Sequence, residues 1–279
     1  MDAAYEGSDE AQAALAARYR SAAPAAAGPW NDTVATMLAH KSVRAFLPDA
    51  LPAGLIERVV AAAQSAPTSS NMQTWSVIAV EDPARKARLA VIAGNQRHIL
   101  QCPLLLVWVA DHSRVRTLAA AAQAQSGALD YLEAFLVAAI DAALAAQNAV
   151  VALESLRLGT VYIGALRNDP QAVAVELGLP AGAAAMFGLC VGYADPAATS
   201  AVKPRLPQAA VLHRERYDAT AAQRAFAGYD RDMLAFQAEQ GMTPVGWTKT
   251  ALARFRDAAA LNGRDALRGA LDALGFPIR

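Results

Sequence analysis

Apolar and polar positions follow a helical period in some parts of the chain and a strand period in others. Helical spacing predicts helices over 11–20, 31–39, 51–63, 83–93, 128–158, 170–177, 221–239 and 249–274. Alternating or continuously apolar runs predict strands over 74–80, 103–110, 160–163 and 185–193. The pattern therefore predicts a fold of the α+β class (mixed α/β), in which helices flank a small central sheet.

Two of these runs are so apolar that they predict burial in the interior of the fold. The run 103–110 is continuously apolar, which is typical of a strand buried on both faces. The run 128–158 is hydrophobic nearly all round, whereas a surface helix would show a polar face. We therefore expect it to be a central helix that is covered on all sides, and a subunit-interface helix.

The first thirty residues form an extension, and residues 31–279 form the main domain with a C-terminal helical lid or arm. Residues 11–20 have helical character and are followed by a linker, Ala23–Pro29, rich in Ala, Pro and Gly. Two interpretations have equal weight. The amphipathic helix packs on a partner surface, or the extension is disordered.

Composition excludes several classes of protein. The chain has 279 residues, is 55% hydrophobic and has a formal net charge of zero, which argues against a nucleic-acid binder or a polybasic membrane anchor. Cys102 and Cys190 lie in apolar runs and are expected to be buried thiols. The N-terminus is acidic and lacks the features of a secretory signal. The most apolar run, 134–156, is interrupted by Asp141 and Glu154, so we expect no membrane span and a cytoplasmic protein.

The sequence has no motif for catalysis by its own side chains. Its four histidines lie far apart, so no metal site is expected. It contains no Gly-x-Ser-x-Gly elbow, no Walker loop and no Gly-x-Gly-x-x-Gly after a strand. If the protein is an enzyme, a cofactor supplies the chemistry.

Two basic clusters and one polar loop are the candidate binding segments. His40–Arg44, which includes the hydroxyl of Ser42, and Lys203–Arg205 are both short. Two short basic clusters with a hydroxyl suit one phosphate group better than a nucleic-acid backbone; solvated loop charge is the alternative. Ser65–Trp75 is dense in hydroxyl and amide groups that could line the edge of a planar ring, and a simple polar turn is the alternative.

Together these segments resemble the nitroreductase family of flavoproteins, most closely its oxygen-insensitive NADPH nitroreductase and NADPH–flavin oxidoreductase branch. The resemblance runs from about Thr33 to about Pro207, with a weaker C-terminal tail. Each motif is modest, but their order and spacing together are highly specific. The motifs are 40–44, 66–75, 94–98, 146–148 with 154–159, 162–168, 187–192 and 203–207.

The resemblance implies a nitroreductase-like intertwined homodimer with a long central helix and non-covalently bound FMN at two interface sites. The implied phosphate ligands are His40, Ser42, Arg44, Lys203 and Arg205, and Lys41 or Arg44 is the candidate cation beside the reduced ring. The implied ring and ribityl contacts are Ser69, Ser70, Asn71, Gln73, Gln96, Tyr162, Ile163, Gly164 and Ala165. The resemblance also implies that the 66–75 loop contacts the flavin of the other subunit. No side chain is implied as the catalyst, because flavin N5 carries the hydride; Ser70, Asn71 and Arg264 are candidate substrate contacts.

The implied activity is that of an FMN-dependent NAD(P)H oxidoreductase that reduces nitroaromatics, quinones or free flavins by ping-pong hydride transfer. NADPH or NADH is the cosubstrate, and small-molecule electron acceptors are the other partners. Lys41 stands where relatives usually carry Arg, and 240–247 lacks the arginines of NADPH-selective relatives. These departures leave two alternatives open: a specialised flavin redox enzyme on the same scaffold, and a non-catalytic flavin-binding or storage protein.

Overall fold

The computed structural model describes residues 9–25 and 28–279. Its helices are α1 Asp9–Tyr19, α2 Asp32–Ala39, α3 Leu55–Gln64, α4 Pro83–Ile92, α5 Arg97–Gln101, α6 Ser113–Ala121, α7 Leu132–Ser155, α8 Pro170–Leu177, α9 Ala221–Glu239, α10 Trp247–Arg254 and α11 Leu267–Ala273. Its strands are β1 Trp75–Val80, β2 Leu104–Asp111, β3 Gly159–Ile163 and β4 Ala183–Gly192. The predicted α+β class is confirmed.

The chain divides into two units. The helical unit consists of the described part of Met1–Lys41 together with Thr199–Ala260. The sheet unit consists of Ser42–Ala198 and Leu261–Arg279. Each unit is therefore formed by segments that are distant in sequence.

The sheet unit is built on one four-stranded sheet in the order β1-β2-β4-β3, and each neighbouring pair is antiparallel. All four strands lie where the sequence pattern predicts them. The register of β2 against β4 shifts between Trp108 and Val109, which marks a bulge or irregularity in the pairing.

Both faces of this sheet are covered by helices of the same unit. Leu104, Leu106 and Trp108 of β2 pack in one core cluster with α3 and α7. Leu105 and Val107, which alternate with them, pack in a second cluster with α4, α5 and α8. Every residue of β2 is buried, so the prediction of a strand buried on both faces is confirmed.

The helical unit has a smaller core of its own. Tyr229, Met233 and Phe236 of α9 are buried against Leu206 and Trp247. The amide oxygen of Gln237 accepts from the backbone N–H groups of residues 245 and 246. The carboxylate of Asp230 accepts from the N–H groups of residues 247 and 248. These bonds attach the end of the 240–247 segment to α9.

The long helix α7 is only partly covered within its own chain. Its buried side contacts α3 and β2, but Leu132, Leu136, Ile140 and Leu144 are between 41% and 55% exposed. By length and composition, α7 could cross a membrane, because its mean hydropathy over 18 residues is 1.8. The expectation that no run of this length is apolar enough to span a bilayer was therefore wrong for α7. Core helices of soluble proteins can have the same length and hydropathy, and 44% of this 18-residue stretch of α7 is buried.

Several predicted boundaries need correction. The helix expected from Leu51 begins only at Leu55, because Gly54 before it has left-handed backbone dihedrals (φ 75°). The single helix expected over 249–274 is broken into α10 and α11, and Asn262 and Gly263 between them both have positive φ. The helices α5 and α6 were not predicted.

The extension contains a helix and the 3-10 turn Arg20–Ala22, whereas residues 23–25 and 28–30 are not helical. The predicted helix over 11–20 is confirmed as α1, which contacts α2. Residues 1–8 of the extension, and Ala26 and Ala27 of the predicted linker, lie outside the described residues.

Candidate functional site

The polar loop between α3 and β1 has an unusual backbone. Ser70, Asn71 and Gln73 all have positive φ angles, of 48°, 55° and 52°. Left-handed conformations are uncommon for residues other than glycine, and a run of them persists only when the surroundings hold it in place. The side chains of Ser69, Ser70, Asn71 and Gln73 are all exposed. The loop thus presents polar groups outward on a fixed backbone, which a simple polar turn does not require.

A carboxylate from the long helix holds the start of this loop. Asp141 of α7 is 2% exposed and accepts hydrogen bonds from the backbone N–H of Ser69, at 3.2 Å, and from the hydroxyl of Thr74, at 3.3 Å. A buried carboxylate needs such partners, since an isolated charge would be strongly disfavoured there. Asp141 therefore connects the apolar helix to both ends of the loop.

An arginine from α6 holds the other side. Arg114 donates to the backbone oxygens of Gln73 and Trp75, at 2.5 and 2.6 Å, and to the hydroxyl of Ser76. It also lies 3.3 Å from a carboxylate oxygen of Asp111. Burial raises the pKa of Asp111, but hydrogen bonds from Ser113 and Ser76 and the charge of Arg114 outweigh it and hold the pKa below its usual value. Asp111 thus remains charged and keeps Arg114 against the loop.

We predict that Asp141→Ala destabilises the protein and disorders the loop. The change leaves the buried Thr74 hydroxyl without its acceptor, which costs about 1–3 kcal/mol, and it also removes the acceptor of the partly buried Ser69 N–H. Urea denaturation of the flavin-free protein measures this loss. Glu133→Ala, which removes an exposed carboxylate from the first turn of the same helix, is the matched control and should leave stability within about 0.5 kcal/mol. Equal stabilities of the two variants would contradict the assignment.

At the end of β3 and in the turn after it, the side chains of Ile163 and Ala165 point into the core, so this segment can offer a ligand only its backbone groups there. Ile163 and Ala165 are buried in the core of the sheet unit, and Gly164 begins the 3-10 turn Gly164–Asn168. Tyr162 is 39% exposed, and its ring packs edge-on against Phe187 at 5.4 Å. Burial and the charge of Glu154 raise the pKa of Tyr162, so its hydroxyl stays protonated at neutral pH.

Arg264 and Gln96 occupy defined positions in the same unit. The Nε of Arg264 donates to Oδ1 of Asn168 at 2.9 Å, so the structure brings this residue to the turn that follows β3. Gln96 is half-buried and immediately precedes α5, and its backbone oxygen accepts from Ile99.

The two basic clusters are distributed over both units. His40, Lys41, Lys203 and Arg205 belong to the helical unit, whereas Ser42 and Arg44 belong to the sheet unit. Within the helical unit, Lys41 Nζ lies 3.4 Å from the Ser200 carbonyl.

In the sheet unit, Ser42 forms a parallel bridge with Thr160, and this bridge fixes the backbone before Arg44 beside β3. Burial, and secondarily the charge of Arg44, lower the pKa of His98.

Family comparisons agree with the motifs and with this geometry. A model of the nitroreductase family matches residues 37–193, and a model of the nitroreductase family C-terminal domain matches residues 203–279. The chain belongs to the nitroreductase family. The first model covers all four strands of the sheet unit and the helices between them, so the fold and the family agree.

Individual nitroreductase relatives extend this result. The chain is 43% identical to an FMN reductase (NADPH) of Bacillus subtilis strain 168 over 189 residues, which are 67% of this chain and 75% of the relative. It is 36% identical to an NADPH-flavin oxidoreductase of Vibrio harveyi over 210 residues, 75% of this chain and 84% of the relative. The solved structure of the hypothetical oxidoreductase YcnD from Bacillus subtilis superimposes with a TM-score of 0.85 at 31% identity, covering 90% of this chain and all of that one.

The residues present in this nitroreductase fit FMN by their donor chemistry. Among the residues that the structure describes, the guanidinium groups of Arg44 and Arg205 are exposed and have no hydrogen-bond or ion-pair partner, so both are available to an anion. The 69–73 loop exposes the hydroxyl and amide groups that the heteroatoms of a flavin ring require.

Sequence reasoning missed three residues that shape these segments: Arg18, Arg114 and Asp141. Asp141 gave a signal, because it is a carboxylate in the middle of an apolar stretch of α7, far from the other two carboxylates at the helix ends. Arg18 and Arg114 gave none, since both act on backbone carbonyls that any residue carries.

Proposed function

We propose that this protein is an FMN-dependent NAD(P)H oxidoreductase that reduces small, electron-poor acceptors such as nitroaromatics, quinones or free flavins. The observation that carries the proposal is the agreement of family membership with a polar loop that is held in a strained conformation by Asp141 and Arg114. The similar proteins from Bacillus subtilis and Vibrio harveyi are named as NADPH-dependent reductases of flavin.

In this proposal the phosphate of FMN is bound by cations and a hydroxyl from the two basic clusters. The proposed phosphate ligands are His40, Ser42, Arg44, Lys203 and Arg205. The fork of an arginine suits a phosphate because it presents two parallel N–H donors, whereas Lys41 is a point charge. Lys41 or Arg44 is the proposed cation beside the ring.

The ring and ribityl chain are assigned to the loop and to the segment after β3. The proposed contacts are Ser69, Ser70, Asn71, Gln73, Gln96, Tyr162, Ile163, Gly164 and Ala165. When bound, FMN supplies hydride chemistry between NAD(P)H and the acceptor. The protein orients the ring by fixed N–H, hydroxyl and amide groups, and Arg264, held by Asn168, is the proposed contact for substrate together with Ser70 and Asn71.

We also propose that the active form is a homodimer formed through α7. Leu132, Leu136, Ile140 and Leu144 are four residues apart, so they lie along one side of the helix, and all are exposed in the single chain. A continuous apolar stripe of this kind is typical of a protein–protein contact. A second copy of the chain presents the same stripe, which suits a twofold interface.

Localisation and domain organisation are also proposed. We place the protein in the cytoplasm, bound to neither membrane nor nucleic acid, which the formal net charge of zero supports. We propose that residues 1–30 are an extension of an FMN-binding domain formed by residues 31–279, including its C-terminal helical arm.

A spectroscopic experiment tests the proposed function. The purified protein is expected to show a flavin spectrum in the visible range that bleaches under anaerobic conditions on addition of NADPH or NADH. Subsequent addition of p-benzoquinone or nitrofurazone should restore the oxidised spectrum, and the faster nucleotide identifies the preferred donor. A yellow protein that neither nucleotide bleaches would support a storage role instead. A protein that does not bind added FMN would overturn the proposal.

A further inference from the structure

Arg18, in the last turn of the N-terminal helix α1, is hydrogen-bonded to the parts of both basic clusters that lie in the helical unit. Arg18 is 5% exposed. It donates to the backbone carbonyls of Leu38, His40 and Lys203 at 2.7, 2.8 and 2.9 Å. The carbonyl of Arg18 in turn accepts from the backbone N–H of Arg205 at 2.9 Å. One residue of the extension is therefore bonded to two segments that lie 185 and about 20 positions away.

The chemistry of these bonds explains why the residue is an arginine. Leu38 is in the last turn of α2, where helical carbonyls have no partner within the helix and a cation is favourable. The two Nη atoms of Arg18 divide the acceptors, since Nη2 binds Leu38 and His40 while Nη1 binds Lys203. A lysine could not hold three carbonyls in this planar arrangement.

The segments that Arg18 holds carry four of the six residues of the two basic clusters that are proposed to bind FMN. His40 and Lys41 follow α2 directly, and Lys203 and Arg205 lie on either side of Pro204. The carbonyl of Pro204 is itself bound by the Tyr229 hydroxyl at 3.0 Å. The backbone of this second cluster is thus fixed from two sides while the Arg205 side chain remains exposed.

We propose that Arg18 is a positioning residue for the FMN phosphate: it fixes the backbone at His40 and at Lys203–Arg205 so that the side chains of His40, Lys203 and Arg205 can bind the phosphate group. This inference rests on the proposed function. It makes the N-terminal helix part of the cofactor-binding architecture, although the helix lies outside residues 37–193 and 203–279 matched by the family models.

A neighbouring residue provides a matched control. Arg20 is two positions beyond Arg18, and its guanidinium makes two hydrogen bonds, to the two carboxylate oxygens of Glu239 at 2.7 and 2.6 Å. Arg20 therefore also holds the extension within the helical unit, but it binds α9 and not a basic cluster. Replacing Arg20 tests whether simple attachment of the extension is enough.

The test compares FMN with riboflavin, which has the same ring and lacks the phosphate. Full-length protein is stripped of flavin, and each ligand is titrated by quenching of flavin fluorescence. Arg18→Met should raise the Kd for FMN at least about tenfold and leave the Kd for riboflavin within about twofold. The Kd of Arg18→Lys for FMN should lie between the values for Arg18→Met and for the unmodified protein. Arg20→Met should leave the ratio of the two constants unchanged.

Each other outcome has a defined meaning. An unchanged FMN Kd in Arg18→Met, or equal losses for FMN and riboflavin, would overturn the inference, because a purely structural role does not distinguish the two ligands. If Arg18→Met does not fold, the ratio of the Kd for FMN to the Kd for riboflavin is measured in Arg18→Lys. A ratio equal to that of the unmodified protein overturns the inference. Loss of FMN binding in Arg205→Ala but not in Arg18→Met rejects the role of Arg18 alone. Absence of FMN binding in the unmodified protein rejects the proposed function and this inference together.

Discussion

Replacing Arg205 by alanine is expected to yield a protein that loses FMN during purification. The guanidinium of Arg205 is exposed on a backbone that Arg18 and Tyr229 hold, so the side chain can bind an anion without a change in the backbone. A hydrogen bond to a charged group contributes about 1.5–3 kcal/mol. Its loss should raise the Kd for FMN about 10- to 150-fold. Equilibrium titration of the stripped protein with FMN measures this change.

The specificity of the Arg205 effect can be checked with ligands and variants. Riboflavin, which has no phosphate, should bind Arg205→Ala as well as it binds the unmodified protein. Arg205→Lys should recover part of the FMN affinity, because it keeps the charge and loses the fork. Arg231→Ala, which removes an exposed arginine from α9 of the same unit, should have no effect. Unchanged flavin content in Arg205→Ala would remove Arg205 from the phosphate site.

The strands and most helices could be predicted because hydrophobic periodicity reports burial directly. The run 103–110 is continuously apolar and becomes the fully buried β2. The helix α6 was missed because none of its residues is buried, so it has no apolar face to produce a period. Likewise, the break in 249–274 begins where α10 ends at Arg254 and includes Asn262 and Gly263 with positive φ, and the spacing of the apolar residues does not reveal these backbone changes.

The candidate site divides in the same way. The exposed polar groups of the 69–73 loop were visible in the sequence, because their residue types carry the chemistry. The residues that hold this chemistry in place were not, because Asp141 and Ser69 are 72 positions apart and Arg18 and Lys203 are 185 apart. Hydrogen bonds to backbone groups leave no complementary residue type to search for. The tertiary structure is therefore needed to find them.

The second large effect is expected from Ile140→Glu, which should convert the proposed dimer to a monomer. Ile140 is 55% exposed in the single chain and lies in the middle of the apolar stripe of α7. Burying one such side chain contributes about 1.5–3 kcal/mol, and a twofold axis counts each position twice. A carboxylate at the same position would have to be buried without a partner, which costs several kcal/mol more. Sedimentation velocity at micromolar concentration measures the change in mass.

The same variant is expected to lose FMN, because the resemblance to nitroreductases implies that the flavin-ring loop belongs to the other subunit. Val175→Glu is the matched control, since it places the same charge at a β-branched residue of α8 that is 84% exposed. That variant should remain a dimer and retain its flavin. If Ile140→Glu sediments as a dimer with full flavin content, the stripe is not the subunit interface. If it is a monomer that still binds FMN tightly, the flavin site is complete within one chain, and the exposed polar groups of Ser69–Gln73 face the flavin of their own subunit.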